Sequence, residues 1–166
     1  MGQFKQSANG SILTAILLVF GFILFACQRS GDSTARFELL SADWTGLDFE
    51  NQIVIDEEFN VLDFDYIYNG AGVAVGDFNA DGLPDLFFGG NMVSSRLYLN
   101  RGDFRFEDVT LDAGLETNTW VEGITLVDIN QDGLVDIYAC VSNRKETSRD
   151  GNLLFVNQGL TENGIP

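Results

Sequence analysis

Short apolar runs separated by Gly, Asn and Asp make up most of the chain after residue 36. Several of these runs are rich in β-branched and aromatic residues or alternate apolar with polar positions, which is typical of strands. None of them is long enough to show a convincing helical stripe. Within one stretch of about 50 residues, the pattern predicts four strands, at residues 73–75, 85–88, 96–99 and 104–109.

The same pattern occurs at least twice along the chain. Residues 72–88 match residues 123–139 at a constant offset of 51 positions, without a gap. Residues 97–102 match residues 154–159 at an offset of 57 positions. The second copy therefore contains six additional residues, which we place in the polar stretch 142–151.

Four strands in a unit of about 50 residues are typical of a β-propeller blade. Residues 37–47 echo residues 106–115 in their Phe-Glu start and their Gly-Leu end, which indicates a third, partial unit. Four units exceed the part of the chain that follows residue 26, so this chain cannot close a propeller by itself. We expect an all-β fold, an incomplete propeller of about two to three blades, with further blades C-terminal to residue 166. An open array that closes by self-association is the alternative.

The predicted organisation has five segments. A signal peptide and a polar tether precede a partial first repeat with an acidic insertion, one full repeat and a second, truncated repeat. Their bounds are 1–26, 27–36, 37–71, 72–122 and 123–166.

Both copies carry the pattern Asp-x-Asn-x-Asp-Gly-x-x-Asp between their first two predicted strands. Calcium takes six to eight oxygen ligands, and alternate positions of a tight loop can supply them. Gly82 and Gly133 permit the backbone to reverse. Three carboxylates this close repel one another unless a cation lies between them. We therefore expect about two Ca²⁺ sites, with the side chains of Asp77, Asn79, Asp81 and Asp85 and the carbonyl of Leu83 as ligands in one, and those of Asp128, Asn130, Asp132 and Asp136 with the carbonyl of Leu134 in the other.

A turn that needs no metal is the alternative interpretation of these loops, because Asn, Asp and Gly are ordinary turn residues. The EF-hand loop is a poorer match. It requires Glu at its twelfth position, where this chain has Phe88 and Ala139.

The repeat resembles the FG-GAP/VCBS repeat, the blade also found in integrin α-chain propellers. The wider pattern is similar to exported Bacteroidetes-type lipoproteins with VCBS repeats and an ASPIC/UnbV-like region. The resemblance implies a calcium-stabilised propeller in the cell envelope or outside the cell, used for binding. The residues that carry it are 72–85, Tyr68, Asn69, Gly70, Asn91, 97–100, 106–110 and Trp120.

The amino-acid composition excludes some classes of function. The chain has 25 Asp and Glu against 9 Lys and Arg, a net charge of −16, and no histidine. Histidine-dependent catalysis is therefore excluded, and a nucleic-acid partner is not expected because phosphate contacts need Lys and Arg. We expect no enzyme, since the best-placed acids belong to the predicted loops. Glycan hydrolysis by paired carboxylates is the alternative chemistry.

The N-terminal segment predicts export. Residues 1–26 contain Lys5 and no acidic residue, and the mostly apolar run 12–26 is shorter than the about 20 residues of a spanning helix. Residues 24–27, Leu-Phe-Ala-Cys, resemble a bacterial lipobox, which implies lipidation of Cys27 and an outer-membrane or cell-surface location. The membrane would then be contacted through the lipid alone. A plain signal and a short uncleaved anchor are the alternatives.

Trp44, Trp120, Tyr66 and Tyr68 could form a sugar-stacking surface, but we expect them in the core. We also expect Cys140 to be a small buried residue. The sequence thus predicts a calcium-binding module of an exported lipoprotein that binds a protein or glycan. A structural scaffold for a downstream domain is the alternative.

Overall fold

The computed structural model describes residues 36–57, 59–62, 64–142 and 151–166. The chain divides into two units, residues 1–39 and residues 40–166, and every element given below belongs to the second. The predicted signal peptide, Cys27 and nearly all of the tether lie outside the described residues. Within the described part, no helix has the length and apolar character that crossing a membrane requires.

A short helix, α1, spans Ala42–Thr45. Ser41 caps its start by accepting a hydrogen bond from the backbone N–H of Trp44, and Gly46 ends it in the left-handed conformation at φ +79°. The described residues of the predicted partial repeat contain this helix and no strand. Gly114, which the sequence aligns with Gly46, also has positive φ.

The first sheet is antiparallel and contains four strands in the order β1-β2-β3-β4. All four strands that the sequence predicts are present. The fourth is shorter than predicted, because Asp103 and Phe104 have positive φ in the turn that precedes it. The strand bounds are β1 Val73–Gly76, β2 Asp85–Phe88, β3 Arg96–Asn100 and β4 Phe106–Asp108.

The second sheet contains three antiparallel strands in the order β5-β6-β7. They are β5 Trp120–Val127, β6 Asp136–Ser142 and β7 Leu153–Phe155, and β5 has an irregularity between Val121 and Gly123. The fold is therefore nearly all-β, with two antiparallel sheets, as two blades of an incomplete propeller require.

The two sheets pack face to face around one core. The first sheet contributes buried Ala74, Phe87, Leu97 and Leu99, and the second contributes buried Ile137 with partly buried Ile124, Leu126 and Phe155. These residues alternate along their strands, so each sheet has one inner and one outer face.

Two predictions about burial were wrong. Cys140 is a free, exposed thiol, because it lies on the outer face of β6, beside buried Ala139 on the inner face. Trp44, Tyr66 and Tyr68 are exposed, and the Trp44 ring lies 4.0 Å from the Arg105 guanidinium.

The prediction holds for Trp120, which is buried. Its ring packs edge-on against Phe59 and Phe64, with ring centroids 5.7 and 5.3 Å away. The described part of the acidic insertion is thus anchored on the second sheet by two aromatic side chains.

Candidate metal centres

The two predicted loops connect equivalent strands and have the same backbone conformation. The first joins β1 to β2 and the second joins β5 to β6. Gly82 and Gly133 have φ of +86° and +87°, as the sequence predicts for a reversing glycine. Ala80 and Gln131 also have positive φ, at 56° and 62°, which is uncommon for residues with a side chain.

The first acid of each loop closes the turn. Asp77 accepts backbone N–H groups from Asp81 at 3.1 Å and from Gly82 at 2.9 Å. In the second loop, Asp128 accepts the corresponding N–H groups at the same two distances. Each loop therefore wraps its backbone around its first carboxylate, as an Asx turn does.

The second acid of each loop accepts hydrogen bonds from residues two positions away on either side. Asp81 accepts the N–H of Leu83 at 2.8 Å and the amide NH₂ of Asn79 at 2.9 Å. In the second loop the matching bonds to Asp132, from Leu134 and Asn130, are both 2.8 Å long. The two loops thus repeat each other in side-chain contacts as well as in backbone.

The last acid of the loop lies inside the protein. Asp85 is fully buried and accepts N–H groups from Phe78 at 2.9 Å and from Asn100 at 2.8 Å. Burial raises the pKa of its carboxyl, those two N–H groups lower it, and the charges of Asp81 and Asp77 raise it further. Three carboxylates of the first loop therefore repel one another.

Asp136 holds the corresponding place in the second loop. It is fully buried and accepts N–H groups from Ile129 at 2.9 Å and Asn157 at 2.8 Å. Each loop is thus tied to the end of the third strand of its own repeat.

Two residues of this network were not predicted as site residues. Asn100 also donates its side-chain NH₂ to the carbonyl of Pro84, and Asn157 donates to the carbonyl of Phe78 in the other repeat. The signal that could have found them was present, because the two asparagines occupy the same position in the segments that match at an offset of 57 positions.

The donor chemistry of the loops fits a hard cation such as calcium, because every side-chain group that could bind it is a carboxylate or amide oxygen. Each carboxylate oxygen that accepts one N–H retains a second lone pair. In the described part of the chain, no three Asp, Glu or Cys side chains are gathered as a metal site requires. In this structure, hydrogen bonds to the first acid hold each loop closed.

No described cation neutralises the loop acids. The ion pairs among the described residues are Arg96–Asp108 at 2.6 Å and Arg101–Glu107 at 2.7 Å, and both lie on β3 and β4 or the turn between them. The negative charge of each loop is left without a positive partner from this part of the protein.

Both loops lie within a segment that matches a known repeat family. Residues 77–139 match the family model of the FG-GAP-like repeat. The matched span begins at the first acid of the first loop and ends in β6, so it includes both loops.

The chain is also similar to human Cartilage acidic protein 1. The two are 36% identical over 69 residues, which is 41% of this chain and 10% of that protein. The match covers about a tenth of the length of this curated relative. Both findings support an FG-GAP-like repeat module. The resemblance to Bacteroidetes-type lipoproteins stays a prediction.

Proposed function

We propose that this chain is a calcium-binding repeat module of an exported lipoprotein, used to bind a protein or glycan outside the cytoplasm. One observation carries the calcium assignment. Two loops with the same oxygen donors and the same hydrogen bonds each carry three carboxylates within nine residues of sequence, and among the described residues none of these acids forms an ion pair. The match of residues 77–139 to the FG-GAP-like repeat supports a binding module.

Bound calcium would supply positive charge that offsets the repulsion among the loop acids. In the first loop, Asp77, Asn79 and Asp81 would hold it, together with the Leu83 carbonyl and Asp85. The protein's own contribution is the turn that places these oxygens on one short loop, and the buried Asp85 that ties the loop to β3.

Calorimetric titration of the full chain in mild detergent tests this proposal. We expect about two sites, with dissociation constants of roughly 10⁻⁴–10⁻³ M if they resemble other extracellular modules. At 100-fold saturation each site would add about 2.7 kcal/mol to the free energy of unfolding. Asp81→Ala and Asp132→Ala should each remove one site, whereas Glu116→Ala, at an exposed position outside the loops, should remove none.

Two results would contradict the calcium proposal. If the folded chain gives no heat of calcium binding and melts at the same temperature in calcium and in EDTA, both loops are turns that need no metal. Unchanged calcium affinity in both loop variants would contradict the ligand assignment.

Exposed aromatic residues support a binding role over a purely structural one. Trp44, Tyr66 and Tyr68 are 49%, 62% and 66% exposed, and such side chains are enriched where proteins bind partners. A glycan array probed with the chain and with Tyr66→Ala tests the glycan class. Binding that Tyr66→Ala leaves unchanged would place the ligand elsewhere, and no binding to any glycan would favour a protein ligand.

The export assignment is tested at Cys27. We expect the expressed chain to incorporate radiolabelled palmitate in a bacterial host and Cys27→Ser to incorporate none. Equal labelling of both proteins would contradict lipidation at this position.

A further inference from the structure

A continuous set of hydrogen bonds joins the two loops across the repeats. It begins at Asp136, whose carboxylate accepts the backbone N–H of Asn157 at 2.8 Å. The side-chain NH₂ of Asn157 donates to the carbonyl of Phe78 in the first loop, at 3.0 Å. The backbone N–H of Phe78 in turn donates to the carboxylate of Asp85 at 2.9 Å. The last acid of the second loop is thereby connected to the last acid of the first.

The two loops also meet through apolar side chains. Phe78 is 3% exposed and belongs to the core cluster that contains Ile137. Val135, from the second loop, packs against the same cluster. Ile129, the equivalent of Phe78 in the second loop, is 52% exposed. The second repeat therefore holds Phe78 by its ring as well as by its carbonyl.

Asn157 differs from its repeat equivalent, Asn100, in the direction of one hydrogen bond. Each asparagine accepts the N–H of the glycine two residues later at 2.9 Å. Asn100 donates its side-chain NH₂ to the carbonyl of Pro84, within its own repeat, at 2.9 Å. Asn157 lies 3.5 Å from the equivalent carbonyl, that of Val135, and makes its shorter bond to Phe78. The bond between repeats is thus specific to Asn157 within this pair.

Calcium binding has to reorder the loops, because the acids of the described residues are not gathered as a metal site requires. Fixing Asp136 also fixes Asn157, and through Phe78 it restrains Asp85. Since filling one loop already orders part of the other, the second ion meets a smaller ordering cost. Charge alone has the opposite sign. A filled loop is less negative, which weakens calcium binding at the other.

We propose that Asn157 couples the two loops, so that occupancy of either loop raises the calcium affinity of the other. This inference rests on the proposed calcium function. Asn157 is a positioning residue, because it acts through Phe78 and Asp136 and not as a ligand. Such coupling is reciprocal, and typical couplings between sites change affinity by about fivefold or more.

Calorimetric titration of the full chain in mild detergent, at about 0.15 M NaCl, tests the coupling. Asp81→Ala and Asp132→Ala each leave one loop able to bind. The product of the two wild-type dissociation constants should be at least about fivefold smaller than the product of the constants of these two variants. Equal products, or a larger wild-type product, would overturn the coupling and leave calcium binding intact. No heat of binding in any of the three proteins would instead contradict the calcium function, and the coupling with it.

The same comparison in an Asn157→Ala background tests the residue itself. There the products should become equal, because the bond to Phe78 is lost. Asn100→Ala is the matched control, since it loses the equivalent bonds within its own repeat and should keep the full coupling. Coupling that survives Asn157→Ala, or that both variants abolish equally, would overturn the proposal.

Fluorescence of the buried Trp120 reports whether each variant is folded. A merely structural role for the two asparagines would lower the stability of both variants without separating their coupling. The comparison in the wild-type background changes nothing at Asn157, so it remains decisive if Asn157→Ala does not fold.

Discussion

Replacing Asp85 with asparagine separates the structural role of the buried carboxylate from any role in calcium binding. Asp85 is fully buried and accepts two backbone N–H groups, from Phe78 at 2.9 Å and Asn100 at 2.8 Å. Asparagine has one acceptor oxygen, so its NH₂ group would face one of these N–H donors. One buried N–H then loses its partner, which costs about 1–3 kcal/mol.

Two smaller effects modify this magnitude. The remaining hydrogen bond becomes neutral and roughly half as strong, whereas removal of a buried charge relieves the desolvation that raises the pKa of Asp85. These effects oppose each other, so we expect Asp85→Asn to lower the free energy of unfolding by about 1–2 kcal/mol in EDTA. Asp81→Asn is the matched control. Its exposed side chain can exchange protein hydrogen bonds for water, so it should cost less than about 0.5 kcal/mol.

Urea unfolding in EDTA, followed by fluorescence of the buried Trp120, measures both differences. Asp136→Asn repeats the experiment in the second loop, because Asp136 accepts the equivalent N–H groups from Ile129 and Asn157. The reasoning is refuted if Asp85→Asn costs no more than Asp81→Asn without calcium.

Two further predictions concern Asp108, which lies on β4, and Gly133, which lies in the second loop. Burial raises the pKa of Asp108, but hydrogen bonds from Thr110 and the charge of Arg96 outweigh it and lower the pKa overall. Asp108→Asn should therefore lower the free energy of unfolding by about 1 kcal/mol at pH 7. The wild-type protein should lose this extra stability as the pH falls below 3.8, the ordinary pKa of an aspartate. Urea unfolding of both proteins at pH 7 and at pH 3 measures the difference. Gly133→Ala should lower the free energy of unfolding by about 1 kcal/mol, because alanine is strained at positive φ although its β-carbon would meet no other atom. Gly123→Ala is the control: Gly123 has no positive φ, so this variant should lose less stability in the same urea assay.

Local residue patterns were sufficient to predict the strands. Residues 85–88 and 96–99 are brief, mostly apolar runs rich in aromatic and aliphatic side chains, and this information lies within each segment. The reversal at Gly82 could also be predicted, because Asp, Asn and Gly favour such turns through bonds to their own neighbours. The length of β4 could not, since its start depends on the positive φ of Asp103 and Phe104.

Burial was predicted less well, because it depends on what lies on the far side of each sheet. Cys140 is a small apolar residue on a strand, which predicts burial, yet it lies on the outer face of β6. Trp120 is buried because Phe59 and Phe64 from the insertion pack against it. No pattern within β5 or β6 identifies these partners.

The sequence by itself determined the repeat, the strand segments of the first full repeat and the composition of both loops, because all three depend on local residue patterns and spacing. Only the tertiary structure decided what the last loop acid does. Asp85 reaches the N–H of Asn100 and Asp136 reaches that of Asn157, so each carboxylate joins its loop to a strand distant in the chain. Such contacts arise when the sheets assemble, because burial of a charged group is tolerable only where folding has placed donors around it.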